Sequence, residues 1–278
     1  MISKFLIAAS VIATTLAAAP AVAQDADASD WTGPYAGVRL GYAFNPKNDV
    51  QTVRFDTNLD GTFGDTVRTS AGADAFSPGF CPGGAGGATP ATGCNDDRDG
   101  YDMSAHVGFD YQIGKIVLGV VGEYGRANVR DDVTAFSSTP ASYTLGRLLR
   151  DNGNARGRVG VALGRTLIYG TGGFSYGKIR NTFRSTNTAN QFVNSGNDDA
   201  YGYNAGGGFD IKVARNFSIG AMYLFRSLKD DGFRVRAFRG TSPATNPFVI
   251  ANTAGTNFAL GDRRFNTHSA TAVASFRF

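Results

Sequence analysis

Charged side chains recur at alternate positions along several segments, an arrangement that could build an ion-paired interior. The candidate charges are Arg39, Asp102, Asp110, Glu123, Arg126, Arg156, Arg158, Asp210 and Arg226. Glu123 is the only glutamate in the sequence. Because an unpaired buried charge is strongly destabilising, side chains of both signs on one inner face must pair. The pattern predicts a network that fills an interior, and the alternative is a narrow pore lined with arginine.

A second set of candidate ligands is a run of oxygen-bearing side chains in the first third of the chain. Asp56, Asn58 and Asp60 alternate and precede a glycine, as in the first half of a calcium loop. Asp65 adds a carboxylate, but Val67 occupies the twelfth position, where a bidentate Glu is usual. The segment predicts a calcium site or, alternatively, an ordinary acidic turn. Calcium is the only cofactor that the sequence suggests.

Catalysis by a Ser–His pair has little support, because the sequence holds only two histidines. His106 is predicted to be a hydrogen-bonding residue of the interior. His268 is followed by Ser269, but adjacent residues of a strand point to opposite faces. The sequence therefore predicts a protein that is not an enzyme, and a lipid-modifying hydrolase is the minor alternative.

Composition indicates the kind of element that positions these residues. Glycine makes up 37 of 278 residues and aromatics make up 12%. Both disfavour a helical bundle because they are poor helix formers, and the aromatic content argues against disorder. The chain is mildly basic without a concentrated basic patch, so nucleic acid is not an expected partner. The class that remains is an all-β protein.

The N-terminus has the features of a targeting segment. Lys4 precedes an apolar stretch, and Ala21-Val22-Ala23 forms a small-residue cleavage site. Residues 1–23 are therefore predicted to be a cleaved signal peptide, and residues 24–278 are predicted to form one domain outside the cytoplasm.

The two cysteines fit an exported chain. Cys81 and Cys94 are the only cysteines, and the segment between them is rich in glycine and proline. In an oxidising compartment this spacing predicts one disulfide that closes a loop.

Eight segments alternate with the period of a β-strand. They cover residues 35–44, 101–113, 116–127, 154–164, 167–178, 201–213 and 217–226, with an eighth that ends at Phe278. Three tight turns separate pairs of segments, at about residues 114–115, 164–166 and 215–216. Long polar stretches separate the others, at about 45–98, 128–152, 179–199 and 228–263. This rhythm predicts a closed antiparallel up-and-down barrel with its long loops at one end.

Two closed barrels fit eight alternating strands: a soluble ligand carrier with an apolar interior and an outer-membrane barrel with a polar interior. Glycines share the face of the charges, as Gly37 does with Arg39 and Gly108 does with Asp110. Small residues mixed with charges suit a crowded interior, and aromatics at strand ends match interfacial girdles. The sequence therefore predicts an eight-stranded transmembrane β-barrel of the cell outer membrane. Four long extracellular loops and three short periplasmic turns are predicted.

Several motifs resemble one family of such barrels. These are Arg156-Gly157-Arg158-Val159-Gly160, Tyr169-Gly170-Thr171-Gly172-Gly173-Phe174-Ser175-Tyr176-Gly177, the opening Trp31-Thr32-Gly33-Pro34-Tyr35-Ala36-Gly37 and the closing Phe276-Arg277-Phe278. The chain resembles the opacity-protein and outer-membrane-protein-A-like superfamily, in its alphaproteobacterial porin-family branch. The resemblance implies that Phe276 and Phe278 form the signal read by the barrel-assembly machinery. Met222 and Thr271 depart from the family, which often has inward Glu and Arg there, so a rearranged interior network is expected.

The leading functional prediction is a structural and surface-interaction protein whose plugged barrel anchors loops that meet host or environmental ligands. The alternative is a small diffusion channel. Arg263 and Arg264, near the outer end of the last strand, are predicted to bind lipopolysaccharide phosphates, because the planar guanidinium suits phosphate. A simpler alternative is that the basic fourth loop attracts the acidic first loop.

Overall fold

Eight long antiparallel strands dominate the computed structural model, which describes residues 30–45, 51–196 and 198–278. They are β1 (Gly33–Phe44), β2 (Gly100–Ile113), β3 (Ile116–Ser137), β4 (Ala141–Leu163), β5 (Thr166–Ser185), β6 (Asp199–Lys212), β7 (Phe217–Lys229) and β8 (Arg264–Arg277). The all-β prediction is confirmed. The predicted signal peptide, residues 1–23, lies outside the described residues. Among the described residues, no helix is both long enough and apolar enough to cross a membrane.

The eight strands close into a ring. Each strand pairs with the next along the chain, and β8 returns to pair with β1 from Tyr35↔Arg277 to Phe44↔His268. This last pairing removes both free edges, which would otherwise be templates for aggregation. The alternation of the sequence then sends one set of side chains into the ring and the other set outward.

The two ends of the ring differ. At one end, here called the tight-turn end, β2–β3 and β4–β5 are joined by two-residue turns at 114–115 and 164–165. Gly114 and Gly164 have φ angles of 61° and 63° there, as two-residue hairpins require. Longer connections, including 45–99 and 230–263, lie at the opposite or long-loop end.

The second of the predicted loops, 128–152, is not a loop. β3 and β4 continue as paired strands until residues 138–140, and β5 follows them to Ser185. Register shifts interrupt the pairing between Arg126 and Val129 and between Leu149 and Asp151. These bulges hide the continuous strand period in the sequence. We call the parts of β3, β4 and β5 beyond the shifts the extension.

The other connections are also partly folded. Four short strands form a second sheet, in the order Gln191–Ser195, Arg234–Phe238, Thr256–Leu260 and Val53–Asp56. We call this sheet, together with the helix Pro247–Ile250, the cap. Its buried apolar residues pack against Val133, Tyr143 and Leu145 of the extension. The long polar stretches therefore hold a hydrophobic core of their own.

Candidate functional site

The interior of the ring is the candidate site, and it is crowded with charge. Eight of the nine predicted interior charges are buried in it, namely Arg39, Asp102, Asp110, Glu123, Arg156, Arg158, Asp210 and Arg226. They come from six different strands, so only the closed ring brings them together. Their contacts form two groups.

The first group centres on Glu123. Arg39 donates from Nη2 to Glu123 Oε1 at 2.7 Å, and Arg156 donates from Nη2 to Oε2 at 2.7 Å. Asn154 adds a third hydrogen bond to Oε1 at 2.8 Å. All charged members are less than a tenth exposed. One carboxylate on β3 thus pairs with two arginines, one from β1 and one from β4.

Asp102 and Arg226 extend this group through longer contacts. Arg226 Nη2 lies 3.9 Å from Asp102 Oδ2, and Arg39 Nη2 lies 3.8 Å from the same oxygen. Arg226 also donates to the Asn152 side chain at 3.1 Å. Amide side chains thus add hydrogen bonds to this group beside the contacts made by its carboxylates.

The second group centres on Asp110 and includes a residue that the sequence analysis missed. Arg158 pairs with Asp110 and donates from Nη1 to Asp210 Oδ2 at 3.0 Å. Arg277 donates from Nη2 to Asp110 Oδ2 at 2.8 Å. Its position between outward Phe276 and Phe278 was the available signal, since strand alternation places residue 277 inward. An inward Arg on β8 therefore exists, although not at Thr271.

Apolar side chains fill the remaining interior. At the long-loop end, inward residues from seven of the eight strands form one buried layer: Ala43, Ala127, Val129, Leu149, Ile179, Ala200, Leu228 and Phe265. Toward the tight-turn end, fully buried Trp31 packs with Val117 and Leu167. The cavity between the charged groups measures only about 20 Å³. That volume accommodates roughly one water molecule.

Arg126 corrects the predicted set of interior charges. Its side chain is 48% exposed and pairs with Asp151 at 2.8 Å. Glu123 faces inward, so residues 125 and 127 share its face and residue 126 must point outward. The prediction was wrong because it combined two phases of the same strand.

The two histidines lie on different faces of the ring. His106 is buried inside, and its Nε2 lies 2.9 Å from Ser275 Oγ. His268 lies outside among aromatic rings, stacked on Phe44 at 5.4 Å, whereas Ser269 is buried inside. No Ser–His pair is therefore formed by the adjacent residues 268 and 269.

The predicted calcium ligands occupy a turn beside the cap. Asp56 Oδ2 accepts from Gly61 N at 3.2 Å, and Asp65 Oδ2 accepts from Thr57 N at 2.8 Å. Asn58 and Asp60 bond to each other at 2.9 Å. Within residues 30–45, 51–196 and 198–278, no group of three or more His, Cys, Asp and Glu side chains is placed to share a metal ion. The oxygens instead hold the turn, and calcium binding stays a prediction.

Cys81 and Cys94 form the predicted disulfide. The loop that they close, 81–94, lies against the extension, where Gly79–Pro82 pairs with β3 from Val133 to Phe136. Asp97 fastens the end of this segment by accepting from Asp132 N at 2.8 Å. The disulfide loop is thus held to the extension at both ends.

The pKa of Asp97 should make this attachment sensitive to pH. Burial raises its pKa to about 7, and the nearby carboxylates of Asp131 and Asp132 act in the same direction. The folded protein therefore holds this proton where the unfolded chain does not, so stability falls as pH rises from about 4 to about 7. We expect slower proteolysis of the disulfide loop at about pH 5 than at about pH 8. Asp97→Asn should keep the slow rate at both, and an unchanged pH dependence in this variant would contradict the expectation.

The outer face of the ring is apolar along its length. Large exposed side chains include Leu40 at 60%, Val107 at 63% and Val120 at 64%. Tyrosines lie at its margin nearest the long-loop end, here called the upper margin. Arg264 lies over the Tyr203 ring there, at 5.6 Å. Phe276 and Phe278 are exposed on the same face at the tight-turn end, with ring centroids 5.3 Å apart. An apolar surface of this extent requires an apolar environment.

Comparison with known proteins gives a family match over almost the whole chain. The model of the outer membrane protein beta-barrel domain matches residues 9–278. The 31 kDa outer-membrane immunogenic proteins of Brucella melitensis and Brucella suis are each 24% identical over 204 residues, which is 73% of this chain and 73% of theirs. The 22 kDa outer membrane protein of Rhizobium leguminosarum is 31% identical over 131 residues, 46% of this chain and 54% of its own.

Two solved structures are also similar to this chain. The attachment invasion locus protein of Yersinia pestis, solved with a heparin analogue, is 12% identical with a TM-score of 0.32, covering 88% of this chain and 99% of that one. The outer membrane protease OmpT of Escherichia coli is 11% identical with a TM-score of 0.39, covering 88% and 97%.

Proposed function

Because this chain belongs to the family of outer membrane proteins with a beta-barrel domain and is located in the outer membrane, we propose that it is a structural and surface-interaction protein with a closed lumen. The ring spans the bilayer, its apolar outer face meets lipid, and the tight turns face the periplasm. The cap and the disulfide loop are then extracellular and meet host or environmental ligands.

The observation that carries this proposal is the filled interior. Glu123 and Asp110 pair with arginines in the middle of the ring, the apolar layer lies on their long-loop side, and the cavity between the charged groups measures only about 20 Å³. An eight-stranded barrel has an interior just wide enough for side chains. A hydrated ion could pass through the ring only if it displaced both the ion pairs and the apolar layer.

Single-channel recording of the refolded protein in planar bilayers tests the proposal. We expect no stable conductance steps from the wild type. Reproducible ohmic steps would instead support the alternative, a small diffusion channel, and would refute the closed lumen.

We also propose that the protein is not an enzyme. His106 and Ser275 lie inside the filled ring, where no lipid can reach them, and His268 and Ser269 point to opposite faces. The mass spectrum of lipid A should therefore be unchanged when the protein is expressed. A change in acylation would favour a lipid-modifying enzyme.

Assembly should depend on the C-terminal aromatic. Phe278 is exposed at the tight-turn end, and its N–H donates to Pro34 O at 3.0 Å, next to the seam between β8 and β1. Deleting Phe278 should reduce insertion by the barrel-assembly machinery and leave export intact. Heat-modifiability on gels measures the folded fraction, with deletion of the exposed loop residue Thr62 as a control. A wild-type folded fraction in the Phe278 deletion would contradict this role.

Lipopolysaccharide should contact the basic upper margin of the ring. Arg264 lies beside Lys229 in the β7–β8 pairing and above the Tyr203 ring, and Arg263 is exposed next to it. Changing Arg263 and Arg264 to Gln should weaken lipopolysaccharide co-purification and reduce its salt sensitivity. The matched control is Lys115→Gln with Arg165→Gln at the tight-turn end. Unchanged bound lipid with faster loop proteolysis would instead support attraction between the first and fourth loops.

A further inference from the structure

A groove of about 600 Å³ lies between the outer face of the extension and the disulfide loop. It is lined by Gly84, Ala85, Asn95, Asp96, Arg98, Arg130, Asp132, Ser142, Thr144, Arg184, Ser185 and Thr186. Its volume falls in the range of pockets that hold small molecules. The lining contains no aromatic residue and no aliphatic residue larger than alanine, so any ligand must be polar.

The groove holds three arginines and two carboxylates, Asp96 and Asp132, and two of the arginines share Asp132. Arg130 Nε donates to Asp132 Oδ2 at 2.9 Å, and Arg184 Nη2 donates to the same oxygen at 3.1 Å. Arg98 is exposed, and its side chain makes no hydrogen bond or ion pair within the described part of the chain. Each guanidinium carries five N–H donors. Most donors of the three arginines are therefore available to a ligand with negatively charged oxygens.

Hydroxyl groups line the groove beside the arginines. Ser142, Thr144, Ser185 and Thr186 lie side by side on β4, β5 and the residue after β5, with Ser142 Oγ 3.4 Å from Thr186 Oγ1. Gly84 of the disulfide loop has no side chain and therefore leaves the space next to Arg184 and Asp132 open. A Cβ at Gly84 would stand 3.3 Å from Arg184 Nη2 and 3.4 Å from Asp132 Oδ2. Thr144 is paired directly with Arg184 between β4 and β5, so charged donors and hydroxyl groups lie side by side for a ligand to contact together.

We propose that this groove binds a small polyol that carries phosphate or carboxylate groups. The arginine forks match the planar geometry of both oxyanions, and the serine and threonine hydroxyls exchange hydrogen bonds with the hydroxyls of a sugar or similar polyol. The inference rests on the proposed surface role, because that role makes the disulfide loop extracellular and open to soluble ligands.

The groove lies far from the upper margin of the ring, where lipopolysaccharide is proposed to bind. On β3, Tyr124 lies at the upper margin and Asp132 lies in the groove. The eight residues from one to the other correspond to roughly 25 Å of strand. The groove also opens on the side of the extension away from the cap core. Arg263 and Arg264 are not among its lining residues. Binding in the groove and binding of lipopolysaccharide at the margin can therefore be tested with different variants.

Calorimetric titration of the refolded, detergent-solubilised protein provides the test. The probes are inositol hexakisphosphate, trigalacturonate and neutral maltotriose. We expect one or both anions to bind, and Arg98→Gln with Arg184→Gln to weaken the affinity by about ten-fold or more. Both side chains are exposed, so the variant should fold, as heat-modifiability will verify. Lys115→Gln with Arg165→Gln changes the net charge equally at the tight-turn end and should leave the affinity unchanged.

A second variant tests the shape of the groove without changing its charge. Gly84→Leu should fill the space beside Arg184 and abolish binding. Binding of the phosphate probe alone or the uronate probe alone identifies the oxyanion. Absence of binding by both anions, equal binding of maltotriose, or equal loss in the control variant would overturn the proposal. Conductance in planar bilayers would overturn the closed lumen and leave this outcome unaffected, so the two failures are distinguishable.

Discussion

Replacing Glu123 with alanine should lower the free energy of unfolding by about 3–5 kcal/mol, because it leaves Arg39 and Arg156 buried without their shared carboxylate. Breaking a buried ion pair from one side costs more than the pair contributes, since the remaining charges stay desolvated. Urea unfolding of the refolded protein, followed by tryptophan fluorescence of Trp31, measures the loss. Trp31 is the only tryptophan in the sequence.

Asp231→Ala provides the matched control for this prediction. Asp231 pairs with Lys229 at 2.9 Å, a distance similar to that of the Glu123 contacts, but both side chains are substantially exposed. Exposed pairs contribute about 0–1 kcal/mol. If the two variants lost the same stability, the interior of the ring would have to be hydrated, contrary to the closed lumen.

Phe258→Ala should unfold the cap and leave the ring intact. Phe258 is fully buried and contacts Phe55, Tyr143 and Phe248 at ring-centroid distances of 5.0, 5.7 and 5.3 Å. Truncating a buried phenylalanine typically costs about 3–5 kcal/mol, which is enough to open a small subdomain. Limited proteolysis should then cut the segments at 53–56 and 256–260 rapidly, while the membrane-embedded fragment stays heat-modifiable.

The control for the cap is Val193→Ala, in the same sheet but 47% exposed. It should leave the proteolysis rate close to that of the wild type. Rapid loss of heat-modifiability in Phe258→Ala would show that cap and ring unfold together, contrary to the prediction.

The ring was predictable from the sequence because strand alternation carries the information directly. Residues 101–113 alternate without interruption, and the face with Asp102 and Asp110 is the buried one in the structure. The same rule would have placed Arg277 inside and Arg126 outside. On β3 the register shift after Arg126 breaks the alternation close to this residue, and Arg277 lies at the last residue of β8, where the period has few neighbours to define it.

The extension and the cap were not predictable by the same rule. On β4 the inward positions are odd-numbered before Arg150 and even-numbered after it, so the alternation of residues 152–162 does not predict that Leu149 and Leu145 face inward. In the cap, single aromatics such as Phe55 and Phe258 are separated by polar residues, and their burial depends on partners far away in the chain. The groove has the same origin, because Arg98, Arg130 and Arg184 become neighbours only after the disulfide loop meets the extension.

The order of strands in the cap has a consequence for the timing of assembly. Val53–Asp56 lies beside Thr256–Leu260, and Asn257 donates to Asp56 across a separation of 201 residues. Contacts of such long range form slowly, since the intervening chain must first be confined. The two segments belong to the first and last long connections, and both are extracellular in the proposed orientation, so in that orientation they can meet only once both have crossed the bilayer. Completion of the cap should therefore lag behind insertion of the ring, and an antibody specific for the folded cap would mark molecules whose translocation is finished.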